Sequence, residues 1–149
     1  MGLLSDEDLA YLKTEFQNLE DEVPITVVTH ESALVVPGAE VPYGREVRLL
    51  FEEVAAQSPK IRLSVEDVMP SAVERLEALG APRMPAILFG APGSARLRFF
   101  GLPAGYEMST MVGTILDLGT GKPPVRPEIA TELARLKSQV HIQVFVTPS

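Results

Sequence analysis

The chain has 149 residues, 46% hydrophobic and 22% charged, with 13 basic and 20 acidic side chains for a net charge of −7. That length supports one domain with a real core, and the composition excludes disordered, collagenous and disulfide-stapled classes. The absence of cysteine removes disulfides, thiolate nucleophiles, iron–sulfur clusters and cysteine–zinc sites together.

Ser5 followed by Asp8 makes an N-cap pattern, and Leu9, Leu12, Phe16 and Leu19 repeat at helical spacing. A first helix is therefore expected, ended by Glu20, Asp21 and Glu22 and stopped by Pro24. Ile25 to Thr29 is a β-branched run that suits a strand buried on both faces. From residue 31 to 44 all periodicity is lost, and Pro37, Gly38, Pro42 and Gly44 mark a loop. That loop exceeds the roughly two to six residues usual between a strand and a helix. Val47, Leu50, Phe51, Val54 and Ala55 then form an amphipathic helix, ended by Ser58 and Pro59.

Ile61, Leu63 and Val65 alternate with Arg62, Ser64 and Glu66, predicting a second strand. Ser71 with Glu74 predicts a capping box for a short helix carrying Val73, Leu76 and Leu79, closed by Gly80. Ala86 to Phe89 and Leu97 to Phe100 flank Gly90-Ala91-Pro92-Gly93 and pair most simply as an antiparallel hairpin. Met108, Met111, Val112, Ile115 and Leu116 repeat the helical spacing up to Gly119 and Gly121, and both methionines are expected in the core. A strand–helix–strand unit followed by a hairpin predicts an α/β fold, a central mixed four-stranded sheet with helices on both faces.

Residues 1–121 are thus expected to form one domain. Residues 122–149 are expected to add a linker, a helix from Pro127 to Ser138 with Ile129, Leu133 and Leu136 inward, and a strand from Val140 to Val146. That strand has one apolar face and nothing after it to cover it, which invites pairing with another chain and a homodimer through Val140 to Val146.

Other signals carry little chemistry. His30 and His141 lie in apolar stretches and are expected to be partly buried strand residues. No metal site and no cofactor are expected from them. Gly119-Thr120-Gly121-Lys122 lacks the spacing of a phosphate loop, and Glu20-Asp21-Glu22 lacks that of a calcium loop. A net acidic chain suits nucleic-acid phosphates poorly. No apolar run reaches a membrane span, and the first residues are acidic where a secretory signal is basic. A soluble, cytoplasmic protein is expected, with no nucleic-acid or membrane partner. Its 13 prolines, scarce asparagine and missing cysteine fit a thermophile.

Three stretches then carry a likeness: Gly44-Arg45-Glu46-Val47-Arg48-Leu49-Leu50-Phe51-Glu52-Glu53-Val54, Met84-Pro85-Ala86-Ile87, and Arg98-Phe99-Phe100-Gly101-Leu102-Pro103-Ala104-Gly105-Tyr106-Glu107. With the closing His141 to Pro148, the chain resembles the N-terminal unit of the glutaredoxin-like protein disulfide oxidoreductases, a tandem thioredoxin-fold family. It is also similar to the N-terminal domain of the alkyl hydroperoxide reductase flavoprotein subunit. The resemblance implies a thioredoxin-like fold with a Cys-x-x-Cys pair at a helix N-terminus, where the helix dipole and free donors stabilise a thiolate. Here Val41-Pro42-Tyr43-Gly44 stands in that place, so both sulfur positions are apolar or empty. It also implies that the Met84–Pro85 bond is cis and lines the active-site groove, and that residues 122–149 are the linker, helix and first strand of an incomplete second thioredoxin-like unit.

The expected function is a redox-inactive thioredoxin-fold module that docks a protein or peptide partner or a second thioredoxin-like unit. One alternative is the N-terminal piece of a thiol–disulfide oxidoreductase, serving cell redox homeostasis or peroxide reduction, whose working Cys-x-x-Cys lies beyond Ser149. Another is a self-associating or peptide-binding module. In the long loop, Ala33, Leu34, Val35, Val36 and Val41 either cover the vacated site or present a partner-binding patch. Leu34, Val35, Val36 and Tyr43 are the candidate contacts, with Tyr43 either packed or offering its hydroxyl to a peptide.

Overall fold

The computed structural model describes residues 2–31, 37, 40–121 and 125–145. Its first helix, α1, runs Asp6–Glu15 and continues as a 3₁₀ turn, Phe16–Asn18. The Ser5 hydroxyl accepts from the Asp8 amide at 3.1 Å while the Asp8 carboxylate accepts from the Ser5 amide at 3.1 Å, closing the expected capping box. Strand β1 is Val23–Thr29, helix α2 Gly44–Ala55 and strand β2 Ile61–Asp67. Helix α3 is Val73–Leu79, the hairpin strands β3 and β4 are Ala86–Phe89 and Leu97–Phe100, and helix α4 is Tyr106–Gly119. Helix α5, Pro127–Ala134, follows.

The sheet order is β2-β1-β3-β4, with β1 parallel to β2 and antiparallel to β3, and β3 antiparallel to β4. Period-two alternation along β1 and β3 divides the core. Ile25, Val27, Ile87 and Phe89 face α1, α2 and α4, where Leu12, Phe16, Val47, Leu50, Phe51, Val54, Met111, Val112 and Ile115 close the larger cluster. Val28, Ala86 and Leu88 face the opposite way, onto Leu76 and Leu79 of α3. The sheet is therefore mixed and covered on both faces, as the element order predicts. Gly119 marks how tightly the layers meet, because a Cβ there would run into the Leu19 side chain and Val23. Its carbonyl accepts from the amides of Glu20 and Asp21 at 2.7 and 2.8 Å, tying the end of α4 to the start of β1.

Four expectations need correction. Helix α3 has Ala72 at its N-cap and no side-chain cap. The Ala72 amide bonds to the Met69 carbonyl at 2.9 Å, so the turn reaches one residue further and Ser71 falls outside capping position. Helix α5 ends at Ala134 rather than at Ser138, with the Arg135 and Leu136 amides turning back on the carbonyls of Glu132 and Leu133 at 3.1 Å. Its Ile129 and Leu133, and Leu136 just beyond it, are exposed rather than inward. Residues 140–145 form no strand, and His141 is exposed rather than half-buried in one. A strand exists only where a neighbour takes its backbone donors and acceptors. None does so among the described residues. Val146, the linker residues 122–124, and Ala33, Leu34, Val35 and Val36 lie outside them.

Candidate functional site

The site candidate is the N-terminal end of α2. The chain climbs to it through Val41, half-buried, and Pro42, exposed, and turns at Tyr43. Among the described residues Tyr43 is the one non-glycine with a left-handed backbone, φ 61° and ψ 14°. An L residue there costs roughly 1–2 kcal/mol. The turn is closed by the Gly44 amide on the Val41 carbonyl at 3.1 Å and by the Val47 amide on the Tyr43 carbonyl at 3.0 Å. It leaves Tyr43 60% exposed.

Gly44 is buried, and its lack of a side chain is a steric requirement. A Cβ at that position would overlap the Thr29 hydroxyl and crowd Val41 and the His30 carbonyl. Thr29, the last residue of β1, is 1% exposed, and its Oγ1 has no hydrogen-bond partner among the described residues. The threonine at the end of β1 thus fills the space in which a side chain at position 44 would stand.

Pro85 arrives at the same end of the sheet. Val28 pairs with Ala86, so the antiparallel register carries Pro85 to the level of Thr29. The Met84–Pro85 peptide bond is cis; Pro85 is buried and Met84 half-buried. The Pro85 carbonyl accepts from the Gly101 amide at 2.9 Å, which fixes the start of β3 against the end of β4.

Beside this end lies a polar cluster that sequence reasoning missed. The Arg48 guanidinium, one turn into α2, grips the Glu31 carboxylate through Nε and, at 3.2 Å, through Nη2, and reaches Glu52 at 3.4 Å. His30 Nδ1 meets Asp67 Oδ1 at 2.6 Å. Thr29, Glu31, Arg48, Val65 and Asp67 line a shallow cavity of about 170 Å³. The sequence signal for His30 and Glu31 is their place directly after a strand buried from Ile25 to Thr29; for Asp67 and Arg48 the partners come only with the parallel pairing of β1 with β2. These pairs knit the loop's start to α2 and β2.

The chain has no thiol, and among the described residues no group of three or more histidine and carboxylate side chains is placed to hold a metal. It offers a turn of half-buried Val41, exposed Pro42 and exposed Tyr43 over Thr29, at the end of the sheet that Pro85 also reaches. Among the described residues no helix is long and apolar enough to cross a membrane.

This architecture is a thioredoxin-like fold. No family model and no curated protein matches the chain, but solved structures do. A protein disulfide oxidoreductase from Aeropyrum pernix k1 superposes with a TM-score of 0.72 at 19% identity, over 91% of this chain and 56% of that one. The alkylhydroperoxide reductase AhpF of Enterococcus faecalis gives 0.67 at 19% identity, over 89% and 61%. The NTD_N/C domain of that reductase gives 0.64 at 18% identity, over 87% and 59%. The likeness establishes the fold, and the chain spans little more than half the length of the disulfide oxidoreductase.

Proposed function

We propose that the chain is a redox-inactive thioredoxin-fold module that docks a thiol-bearing thioredoxin-like unit or another protein partner. The observation that carries this reading is the Thr29–Gly44 contact. Position 44 is glycine, and the Thr29 hydroxyl occupies the space that a side chain there would need. That packing supports a site with no sulfur atom at position 44. What remains at the helix end is a hydrogen-bonded turn with an exposed tyrosine, a residue type enriched at protein interfaces.

Two measurements test it. In a thiol–disulfide exchange assay with a small dithiol and an insulin substrate, the chain should not raise the rate above that of the dithiol alone. A rate above background overturns the redox-inactive reading. For docking, amide NMR spectra titrated with a dithiol-bearing thioredoxin-fold unit should shift at Val41, Tyr43, Gly44 and Met84, and Tyr43→Ala should weaken the complex. Shifts confined to another face, or a complex indifferent to Tyr43→Ala, overturn docking at this end.

A further inference from the structure

The sheet has two open edges, β2 and β4, and their charges are handled differently. On β2 every charged residue is paired within the chain: Arg62 with Glu22 at 2.6 Å, Glu66 with Arg75 at 3.0 Å and Asp67 with His30 at 2.6 Å. On β4 the reverse holds. From residue 78 to residue 106 the chain carries Arg83, Arg96 and Arg98 and no carboxylate, so all 20 acidic side chains lie elsewhere. The three arginines are exposed, and none has a carboxylate partner among the described residues. In a chain of net charge −7 this is a cationic edge, and Leu97 and Phe100 on it are exposed as well.

The ladder decides which way β4 presents its backbone. The Gly101 amide bonds the Pro85 carbonyl at 2.9 Å, and Phe99 and Leu97 stand opposite Ile87 and Phe89. Bonded and unbonded pairs alternate along an antiparallel ladder, so Leu97 and Phe99 turn their backbone groups to β3 while Arg98 and Phe100 turn theirs outward. No described strand takes those outward groups. The side chains alternate too. Leu97 and Phe99 share the face of Phe89 and Ile87, and Arg98 and Phe100 share that of Leu88 and Ala86. Arg98 is held in place there, its Nε donating to the Ala95 carbonyl at 3.0 Å and its guanidinium lying against Gly80.

We propose that the β4 edge binds an extended segment of another protein in which acidic and apolar residues alternate, added to the sheet as a further strand. The outward amides and carbonyls of Arg98 and Phe100 supply the main-chain bonds. A carboxylate opposite Arg98 pairs with it across the strands, and the alternate apolar residues cover Leu97 and Phe99 on the other face. A second copy of this edge does not fit, because β4 against β4 sets arginine against arginine. Charge on an edge strand bars edges of the same sign and admits one of the opposite sign. The contact uses none of the residues at positions 41–44, so it fails or stands apart from the docking reading above.

The test combines the full chain with an end-blocked peptide of alternating valine and glutamate, followed by amide NMR. The signals of Leu97 to Phe100 should shift, and the amides of Arg98 and Phe100 should exchange with solvent more slowly. Lysine in place of glutamate in the peptide should weaken binding by roughly tenfold or more. Arg96→Glu, at an exposed position outside the strand pairing, should do the same with the circular dichroism unchanged. Tyr43→Ala should leave the peptide complex as it is. A peptide N-methylated at its glutamates keeps its charge but loses the donors aimed at β4, and should bind far more weakly. Equal binding of that peptide would reduce the contact to charge attraction and overturn the proposal. So would the absence of shifts along β4 at millimolar peptide, or binding indifferent to Arg96→Glu.

Discussion

Residues 2–121 and residues 125–145 are both rich in apolar periodicity, yet they end in opposite states. In the first, Leu12, Phe51, Ile87 and Ile115 are all within a few per cent of complete burial. In the second, every described residue from Arg126 to Gln143 is exposed, although Ile129, Leu133 and Leu136 repeat as regularly as Val47, Leu50 and Phe51 do in α2. The difference teaches that a hydrophobic period specifies which face wants to be covered but says nothing of what covers it. In α2 the sheet of the same chain does so. In α5 no described residue of the same chain does.

The largest expected effect breaks that comparison open. Phe51→Ala removes a ring that is 1% exposed at the centre of the larger core cluster, and should cost about 3–5 kcal/mol of unfolding free energy. Leu133→Ala removes a side chain that touches solvent over half its surface and should change stability by less than about 0.5 kcal/mol in a dilute monomer. Urea denaturation of both variants at low protein concentration checks the contrast. A cost for Leu133→Ala comparable to that of Phe51→Ala at high dilution would mean that α5 is packed within its own chain.

How far the fold was legible follows from the same physics. All four strands, the mixed sheet with helices on both faces and the hairpin were readable, because β1 and β3 are short β-branched or aromatic runs and α2 has a clean apolar stripe. The end strand was not, since Val140 to Phe145 has strand composition but strand structure needs an edge to pair with. The cap of α3 differs by a residue because Ser71 and Ala72 both precede the helix, and the turn from Met69 decides which of them caps it. At the candidate site, the stretch Val41 to Gly44 was found through resemblance. Thr29 was not, since its importance lies in a contact with Gly44 across the loop that no local pattern announces. The pairs Arg48–Glu31 and His30–Asp67 were invisible for the same reason.

The comparison sharpens at Gly44, where burial was achieved by subtraction. Gly44→Ala should destabilise the chain by about 1–3 kcal/mol, because the added Cβ meets the Thr29 hydroxyl in a closed space. Thr29→Ala alone loses little, since its Oγ1 makes no hydrogen bond among the described residues. The double variant Gly44→Ala with Thr29→Ala should recover most of the loss, giving a coupling of about 0.5–3 kcal/mol in the cycle. Strict additivity would refute the account of why position 44 is glycine. The same logic extends to chemistry: a cysteine pair built at positions 41 and 44 should form its disulfide readily only in the Thr29→Ala background.

The smallest effect concerns acid. Hydrogen bonds from Ser5 hold the Asp8 carboxyl below the ordinary carboxylate range, and the Arg62 guanidinium, at 2.6 and 3.0 Å, does the same for Glu22 through hydrogen bonding and then charge. Both groups are solvent-exposed, so each contribution is modest and salt-sensitive. Their folded pKa values lie below the unfolded ones, so each stabilises the fold above the unfolded values of about 3.9 and 4.3 and ceases to do so as pH falls through the folded value. Glu22 immediately precedes β1 and Arg62 lies on β2, whose Ile61 pairs with Val23, so their bridge fastens the start of the parallel pair. Arg62→Gln should therefore lower stability by a constant amount between about pH 7 and 5, and the gap to the parent should close below about pH 4. Ser5→Ala should do the same through Asp8, with the capping bond itself lost at every pH. A gap that widens in acid would mean the pair opposes folding and that β1 and β2 are held at this end by their backbone ladder alone.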